Sequence, residues 1–218
     1  MKQLYIAAGA CALSVCLAGT LLVGASNFPN PQVDEKDPAA KRETAVLAGG
    51  CFWGVEAVYE HVKGVSKVVS GYAGGEKKTA KSDLVEAGGT GHAESVMITY
   101  DPSKITYGQI LKIFFSVAHN PTEVNRQGPD VGTQYRSMIF YSNEEQHNIA
   151  KSYIAELESS HVLPRKIATE LVALDGFYPA EEFMQHYSQM HPTDPYVLHN
   201  DDPKIDALKK DFAEVYKR

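Results

Sequence analysis

One cysteine offers the most reactive side chain outside the N-terminal segment of the sequence. Cys51 lies between a glycine pair and the chain's one tryptophan, in the run Gly49-Gly50-Cys51-Phe52-Trp53-Gly54. The other two cysteines, Cys11 and Cys16, lie in an apolar leader. If that leader is removed, Cys51 has no partner in its own chain and cannot form an intramolecular disulfide. It is then a nucleophile, a redox group or a small buried hydrophobic residue.

The elements expected around Cys51 favour a reactive thiol. Residues 43–48 form the apolar run of a buried strand, the glycine pair marks a turn, and residues 52–61 are expected to be helical. The first N–H groups of a helix lack partners within the helix, and together with the helix dipole they favour negative charge. We therefore expect Cys51 to ionise more easily than a free thiol. In the alternative, Cys51 is a structural residue of the core.

The chain divides into three segments. Residues 1–25 carry one positive charge, at Lys2, and a nearly unbroken apolar stretch. This pattern predicts a secretory signal peptide cleaved after Ala25 or, in the alternative, an uncleaved membrane anchor. Residues 26–42 are rich in proline and charge and are expected to form a flexible linker. We expect residues 43–218 to form one domain of an exported protein, periplasmic or otherwise extracytoplasmic, that stays membrane-anchored if the leader is not cleaved.

The charge of the chain excludes one class of partner. The formal net charge is -6 at pH 7, and the lysines and arginines are scattered along the sequence. A nucleic-acid-binding domain needs a basic patch or stripe. We therefore expect no nucleic-acid partner, and the sequence does not indicate an oligomeric state.

Periodicity predicts strands that alternate with helices. Strands are expected at 43–48, 65–71, 94–100, 135–141 and, weakly, 166–174, and helices at 52–61, 106–118, 142–158, near 187 and at 205–216. Thr106 with Gln109, and Ser142 with Glu145, form candidate capping boxes. Strands interleaved with helices and split by a β-β step predict an α/β or α+β fold. We expect a two-layer, ferredoxin-like plait with a mixed central sheet, followed by a long, largely irregular C-terminal tail.

Four short blocks, in order along the chain, carry a resemblance to one enzyme family. They are Gly50-Cys51-Phe52-Trp53-Gly54, Gly71-Tyr72-Ala73-Gly74-Gly75, Gly91-His92-Ala93-Glu94 and Gly132-Thr133-Gln134-Tyr135-Arg136-Ser137. With these blocks the sequence resembles the A-type peptide methionine sulfoxide reductases, over roughly residues 43 to 200. The resemblance implies that residues 43–218 form a catalytic domain. That domain would reduce L-methionine (S)-S-oxide, in proteins or as the free amino acid, and so repair oxidised proteins under oxidative stress.

The resemblance implies catalytic roles for four residues. Cys51 would attack the electrophilic sulfoxide sulfur as a thiolate and become a sulfenic acid. Glu94 matches the family's acid, which protonates the sulfoxide oxygen. A carboxyl group in an apolar pocket can keep its proton near neutral pH because burial raises its pKa. Tyr72 and Tyr135 match the two tyrosines that donate hydrogen bonds to that oxygen.

Five further residues are expected to shape and support the pocket. Phe52 and Trp53 match the apolar walls that receive the methyl group of the substrate. Asp130 matches a buried aspartate that supports the polar network without transferring a proton. Gly50 and His92 lie in signature blocks, where the glycine permits a sharp turn and the histidine is expected to hold its loop. The ordinary alternative for Phe52 is plain core packing.

The chain departs from the family pattern in its tail. Many members carry one or two resolving cysteines there, which attack the sulfenic acid, whereas residues 191–218 contain none. The sulfenic acid must then be reduced by an external thiol, from a thioredoxin-like or glutaredoxin-like protein or a small thiol. The pattern also differs at His119-Asn120-Pro121 and at residues 76–89. We expect any difference in peptide recognition to arise from the loop at 76–89.

Two other classes of function stay open. A cysteine hydrolase would use Cys51 as the nucleophile, His92 or His119 as the base and Asp130 as the orienting group. A non-enzymatic thiol sensor would use oxidation of Cys51 to change its binding to a partner. The hydrolase would form an acyl-enzyme and consume no thiol reductant, so a reductant assay separates it from the reductase.

The sequence predicts no cofactor and no metal site. His186 and His191 have neither the i, i+4 helix spacing of a zinc motif nor a carboxylate in the usual pattern. The one co-reactant that we expect is the external thiol.

Overall fold

The computed structural model describes residues 27–35 and 42–218. The strands are β1 (Glu43–Ala48), β2 (Val65–Ala73), β3 (Ala93–Tyr100), β4 (Arg126–Gln127), β5 (Asp130–Val131), β6 (Met138–Tyr141), β7 (Glu170–Ala173) and β8 (Phe177–Pro179). The α-helices are α1 (Phe52–Glu60), α2 (Ser82–Glu86), α3 (Tyr107–Ile113), α4 (Glu144–Ser160), α5 (Tyr187–Met190) and α6 (Asp202–Asp211). The predicted leader lies outside the described residues. Within them, no helix is both long and apolar enough to span a bilayer.

Six strands form one mixed sheet in the order β7-β6-β1-β3-β2-β8. All neighbouring strands are antiparallel except β6 and β7, which are parallel. The four central strands, β6-β1-β3-β2, have α1 between β1 and β2 and α3 between β3 and β6. This connectivity is the split β-α-β arrangement of a ferredoxin-like plait. The predicted fold class is therefore confirmed.

The sheet is strongly curled. Its two edge strands, β7 and β8, are joined by residues 174–176 alone. A chain extends by at most about 3.6 Å per residue, so the facing ends of these strands lie within about 14 Å of each other. Such curvature needs small side chains on the inner face of the sheet. Ala48, Ala73 and Ala93 supply them, in an apolar cluster that Leu174 and Phe177 flank.

The main core lies on the other face of the sheet, under the helices. Side chains alternate along β1, so Ala45 and Leu47 belong to this core while Val46 and Ala48 face the inner side of the curl. On α1, Val55, Val58 and Tyr59 recur at helical spacing and are buried against the sheet. This packing fixes the N-terminus of α1 just beyond the end of β1, where Cys51 lies.

The two candidate capping boxes have different outcomes. At α3, Thr106 Oγ1 accepts from the Gln109 backbone N–H and Gln109 Oε1 accepts from the Thr106 N–H, as predicted. At α4 the capping residue is Asn143, whose side chain accepts from the Gln146 N–H. The predicted pair of Ser142 with Glu145 is therefore wrong by one position. The physical reason is that asparagine caps a helix at least as well as serine does.

Two predicted strands are shorter in the structure than in the sequence pattern. Residues 133–135 form a 3₁₀ turn, so β6 begins at Met138 and not at residue 135. Likewise β7 covers Glu170–Ala173 only, within the predicted range 166–174. The turn at 133–135 follows Gly132, whose φ of 151° lies in a region that favours glycine.

Residues 27–35 lie in the stretch expected to be a flexible linker, yet they pack against the domain. Phe28 is buried, and the Tyr153 hydroxyl donates to the Pro29 carbonyl at 2.9 Å. The Asp34 carboxylate accepts from the Thr106 hydroxyl at 2.5 Å and from the Gly108 N–H at 2.9 Å. Asp34 thus places a negative charge at the N-terminus of α3, where the helix dipole favours it.

The tail after β8 is less irregular than expected. It contains α5, a π-helical turn at Val197–Asp201 and α6, and all three elements pack on α1. Val197 and Leu208 are fully buried in this packing. The tail therefore returns to the helix that carries Cys51 at its N-terminus.

Candidate active site

A pocket of about 220 Å³ opens at the N-terminus of α1. Its lining residues are Cys51, Phe52, Trp53, Tyr72, Ser82, Glu86, Glu94, Asp130, Tyr135, Met184 and Tyr196. The structure therefore brings together the four residues predicted to be catalytic, both predicted walls and the predicted supporting aspartate. Ligand sites for drug-sized molecules usually exceed about 300 Å³, so this pocket suits one side chain or a molecule of similar size.

Cys51 occupies the N-cap position of α1 and is a free, buried thiol. The preceding residue, Gly50, has a φ of 92°, which side-chain-bearing residues rarely adopt. A Cβ atom there would lie 2.5 Å from Gln127 Cγ. Gly50 does not line the pocket. It permits the turn that points Cys51 into the pocket while the Gln127 side chain packs behind it.

The thiol is harder to ionise in this structure than the sequence led us to expect. Burial raises the pKa of Cys51 well above its usual value, and the nearby charge of Glu94 raises it further. A hydrogen bond from the Trp53 backbone N–H lowers the pKa by a smaller amount. The helix N-terminus therefore does favour the thiolate, but the removal of the sulfur from water outweighs that effect.

Glu94 is a carboxyl group of the pocket that lies beside Cys51. It lies near the start of β3, opposite Tyr72 on β2. Burial raises the pKa of Glu94 to about 8, and the Phe52 backbone N–H, which donates to Glu94 Oε2 at 3.1 Å, limits the rise. A carboxyl group with this pKa carries its proton at neutral pH. Glu94 can therefore donate a proton to a group bound beside Cys51.

Three tyrosine hydroxyls surround the pocket as neutral donors. Burial raises the pKa of Tyr72, Tyr135 and Tyr196, so each keeps its proton. Sequence reasoning missed Tyr196, whose hydroxyl donates to Asp130 Oδ2 at 2.5 Å. This bond joins the tail to β5. A phenol donates a hydrogen bond without bringing charge, which suits stabilisation of a polar oxygen.

The apolar wall is a stack of aromatic rings. The rings of Trp53 and Tyr187 are nearly parallel, with centroids 3.6 Å apart, and Tyr196 meets Trp53 edge-on at 5.8 Å. Phe52 and Tyr72 also line the pocket, with ring centroids 5.7 Å apart. Sequence reasoning missed Tyr187 because its place beside the pocket depends on the return of the tail.

Neither histidine proposed as a hydrolase base lines the pocket. His119 bonds through Nδ1 to the Phe114 carbonyl at 2.9 Å and through Nε2 to Ser137 Oγ at 2.7 Å, and burial lowers its pKa to about 3. His92 bonds through Nε2 to the Glu76 carbonyl at 3.1 Å, which ties the loop after β2 to β3. Both rings are thus engaged away from Cys51, and the geometry does not support a Cys-His hydrolase.

Comparison with known proteins decides the family. A family model described as peptide methionine sulfoxide reductase matches residues 43–216. The chain belongs to the peptide methionine sulfoxide reductase family. A relative from Mesorhizobium japonicum, named peptide methionine sulfoxide reductase MsrA 2, is 55% identical over 184 residues, which are 84% of this chain and 94% of that protein. A second MsrA 2, from Synechocystis sp., is 49% identical over 87% of this chain and 90% of its own length.

The fold of a solved member agrees with this assignment. The crystal structure of reduced Mxr1 from Saccharomyces cerevisiae has a TM-score of 0.63 at 33% identity, and the match covers 74% of this chain and 92% of that one. The chain is therefore an oxidoreductase of the A-type methionine sulfoxide reductases. Enzymes of this family use a thiol as the reductant.

Proposed function

We propose that this reductase acts on the S epimer of methionine sulfoxide, in proteins or as the free amino acid, and transfers the sulfoxide oxygen to Cys51. The observation that carries the proposal is the shared pocket of Cys51 and Glu94, in which burial keeps the carboxyl protonated near neutral pH. A sulfoxide sulfur is electrophilic, but its oxygen leaves poorly unless a proton reaches it. Nucleophile and acid must therefore act on neighbouring atoms of one small group.

The proposed oxygen transfer balances without any outside proton. The Cys51 sulfur attacks the sulfoxide sulfur while Glu94 gives its proton to the sulfoxide oxygen, and the thiol proton of Cys51 returns to Glu94. The transient bond between the two sulfurs and the S–O bond of the substrate then break as the protonated oxygen moves to the Cys51 sulfur, so that methionine leaves and Cys51 becomes a sulfenic acid. Sulfoxide sulfur is reduced by two electrons and Cys51 sulfur is oxidised by two.

The raised pKa of both groups supports a neutral resting site. Because burial raises the pKa of Cys51 and of Glu94, the pocket holds a thiol and a carboxylic acid and not two charges. A sulfoxide is itself a neutral dipole, so it enters without desolvating an ion in the pocket. Tyr72 and Tyr135 then donate hydrogen bonds to the sulfoxide oxygen as negative charge develops on it.

An external thiol restores the enzyme in this proposal. A first thiol attacks the sulfenic acid, releases water and forms a mixed disulfide with Cys51. A second thiol then releases Cys51 and leaves with the first as a disulfide. The absence of cysteine from residues 191–218 supports this route, as does the pocket wall that the tail builds around Cys51. A thioredoxin-like or glutaredoxin-like protein, or a small thiol, would supply both electrons.

We also propose that the enzyme works outside the cytoplasm, in the periplasm or a similar compartment. The apolar character of residues 1–25 supports this location. Repair of oxidised proteins would then take place where oxidants meet methionines directly. Mass spectrometry of the protein from membrane and soluble fractions tests cleavage, and an intact Met1 in every fraction would contradict it.

The decisive experiment follows reduction of a methionine-S-sulfoxide peptide by the full chain with excess dithiothreitol. We expect loss of the S epimer only, with the R epimer unchanged, and we expect no turnover by a Cys51→Ser variant. Mass spectrometry of the enzyme treated with sulfoxide and a sulfenic-acid probe, without reductant, should show one adduct on Cys51. Turnover without oxidation of Cys51, or equal use of both epimers, would overturn the proposal.

A further inference from the structure

Three side chains that can bind metals meet beside α1, farther along the helix than the residues that line the pocket. They are Glu56 and Glu60, one helical turn apart on α1, and His186 from the tail. One ligand atom from each lies within 4.8 Å of the other two. His186 Nδ1 is 2.5 Å from Glu60 Oε1 and 3.9 Å from Glu56 Oε1. None of the three lines the pocket of Cys51.

Glu56 brings a buried carboxylate oxygen to this group. Its side chain is only 1% exposed, and among the described residues Glu56 Oε1 has no hydrogen-bond partner. A buried carboxylate is costly unless it is paired or binds a metal. Glu56 Oε1 faces His186 Nδ1 at a distance that leaves room for an ion between them.

The second oxygen of each carboxylate is already held in place. Glu56 Oε2 accepts from the His186 backbone N–H at 2.9 Å, and Glu60 Oε2 accepts from Gln189 Nε2 at 2.8 Å. These bonds orient both carboxylates so that their Oε1 atoms point to His186 Nδ1. Hydrogen bonds that orient the ligating groups are characteristic of protein metal sites.

We propose that Glu56, Glu60 and His186 bind one divalent transition-metal cation of the zinc class. Bonds of about 2.0–2.2 Å in a tetrahedral site place ligand atoms roughly 3.3–3.5 Å apart. The observed separations of 2.5 and 3.9 Å from His186 Nδ1 bracket that value, and all three ligand atoms lie within 4.8 Å of one another, so side-chain shifts on the order of 1–1.5 Å create the site. The cation replaces the proton between His186 and Glu60 and neutralises both carboxylates. Water completes the coordination on the exposed side of His186.

The mixed ligand set favours this class of cation over calcium or magnesium. Those ions prefer six or more oxygen ligands, whereas an imidazole nitrogen with two carboxylates suits zinc and its neighbours. The bound cation acts as a structural clamp between α1 and the tail. His186 precedes Tyr187, whose ring stacks on Trp53 in the pocket wall, so the clamp also fixes that wall.

Zinc binding by the full chain tests the proposal. We use the full chain with Cys11, Cys16 and Cys51 each replaced by serine so that no thiol is a ligand, remove metal with a chelator, and titrate zinc against a chromophoric chelator. We expect one site that His186→Asn and Glu60→Gln each weaken by at least about tenfold. His199→Asn is the matched control, because His199 is an exposed histidine of the tail whose ring bonds to the Pro195 carbonyl. The His199→Asn protein should bind zinc with the same affinity as the parent.

Thermal unfolding and cobalt absorption provide independent readouts. Zinc should raise the Tm of the parent and of the His199→Asn protein, but not that of the His186→Asn protein. Cobalt in the same site should give visible absorption without the near-ultraviolet band of a thiolate ligand. Equal zinc binding by the parent and the His186→Asn protein would overturn the proposal, and so would a parent protein that binds no zinc. Far-ultraviolet circular dichroism confirms that each variant is folded.

Discussion

Glu94 and Glu56 are two carboxyl groups near α1 whose pKa is raised by the same cause, burial, but whose surroundings differ. Burial raises the pKa of Glu94 to about 8 and that of Glu56 to about 7. Glu94 faces a small aromatic-lined pocket with Cys51 as its neighbour, whereas Glu56 faces a second carboxylate and His186. The comparison teaches that burial makes a carboxyl hold its proton, but its neighbours decide the chemistry. A nucleophile and a cavity beside the carboxyl group favour proton transfer, whereas further metal-binding side chains beside it favour the binding of a cation.

The largest expected effect comes from Glu94→Gln. The amide keeps the shape and can accept from the Phe52 N–H, but it cannot transfer a proton, so the rate of oxygen transfer should fall by about 10²–10⁴-fold. As the pH rises through about 8, wild-type Glu94 loses its proton, so the wild-type rate should fall on the alkaline side. Single-turnover release of methionine without reductant measures this rate and avoids the titration of a thiol reductant.

The Glu94→Gln protein should lack the alkaline decline near pH 8. A variant that keeps both the wild-type rate and the wild-type pH profile would exclude Glu94 as the acid. Glu56→Gln is the matched control, since it changes the other buried carboxyl to the same amide and should leave the alkaline decline in place.

Loss of one hydroxyl donor should have a smaller effect. Tyr135→Phe removes a neutral hydrogen-bond donor from the pocket without altering the ring, so kcat should fall by about 10²-fold with little change in KM. The double variant with Tyr72→Phe should lose less than the product of the two single effects, because the donors act on one oxygen. Tyr216→Phe is the control, because its ring stacks on His61 and lies outside the pocket lining. Wild-type rates in both single variants, Tyr135→Phe and Tyr72→Phe, would show that neither hydroxyl takes part in the mechanism.

Gly54→Ala tests whether the pocket around Glu94 and the tail that carries His186 are coupled through α1. A Cβ atom at Gly54 would overlap Asp201 Oδ1 and lie 2.5 Å from Lys204 Nζ, so these two side chains of the tail must move. We expect a loss of about 1–3 kcal/mol in the free energy of unfolding and a higher KM, because the tail carries Tyr196. Urea denaturation and steady-state kinetics measure the two effects. Asp201→Ala combined with Gly54→Ala should recover part of the stability, and independent additive losses would contradict the contact.

The fold and the centre of the site were predictable because their signals are local. The apolar run of β1, the glycine turn and the helix start place Cys51, and Thr106 with Gln109 marks α3 through one turn of sequence. The signature blocks then assigned Glu94 and the tyrosines by resemblance, and the structure places them in one pocket. Local hydrogen bonding and periodicity therefore suffice for elements that need no distant partner.

The remaining features depend on contacts between distant parts of the chain. Tyr196 joins the site only because the tail packs back on α1, and His186 meets Glu56 across 130 positions of sequence. Burial reversed the expected pKa shift of Cys51, because a sequence shows the helix N-terminus but not the loss of water around the sulfur. Phe28 and Asp34 pack against the domain through contacts of their own side chains, which a proline-rich composition does not reveal.

Glu56→Gln should have the smallest effect on catalysis and a diagnostic effect on stability. The rate of oxygen transfer should stay within about threefold of wild type, because Glu56 lies outside the pocket. Burial raises the folded pKa of Glu56 from 4.5 to about 7, so its contribution to stability is fully present below pH 4.5 and is lost as the pH rises through 7. With a chelator present, wild type should therefore lose on the order of 3 kcal/mol more than Glu56→Gln between pH 4.5 and 8.

Urea denaturation at the two pH values measures that difference, and the exposed Glu158→Gln on α4 is the control that should follow wild type. Zinc in place of the chelator should restore wild-type stability at pH 8, since a cation compensates the ionised Glu56, and should not change the Glu56→Gln protein. Equal pH dependence in wild type and Glu56→Gln would show that Glu56 ionises as freely as an exposed glutamate. Glu94 would then be the one of these two carboxyl groups with a raised pKa, and the proposed difference between a proton donor and a cation ligand would no longer hold.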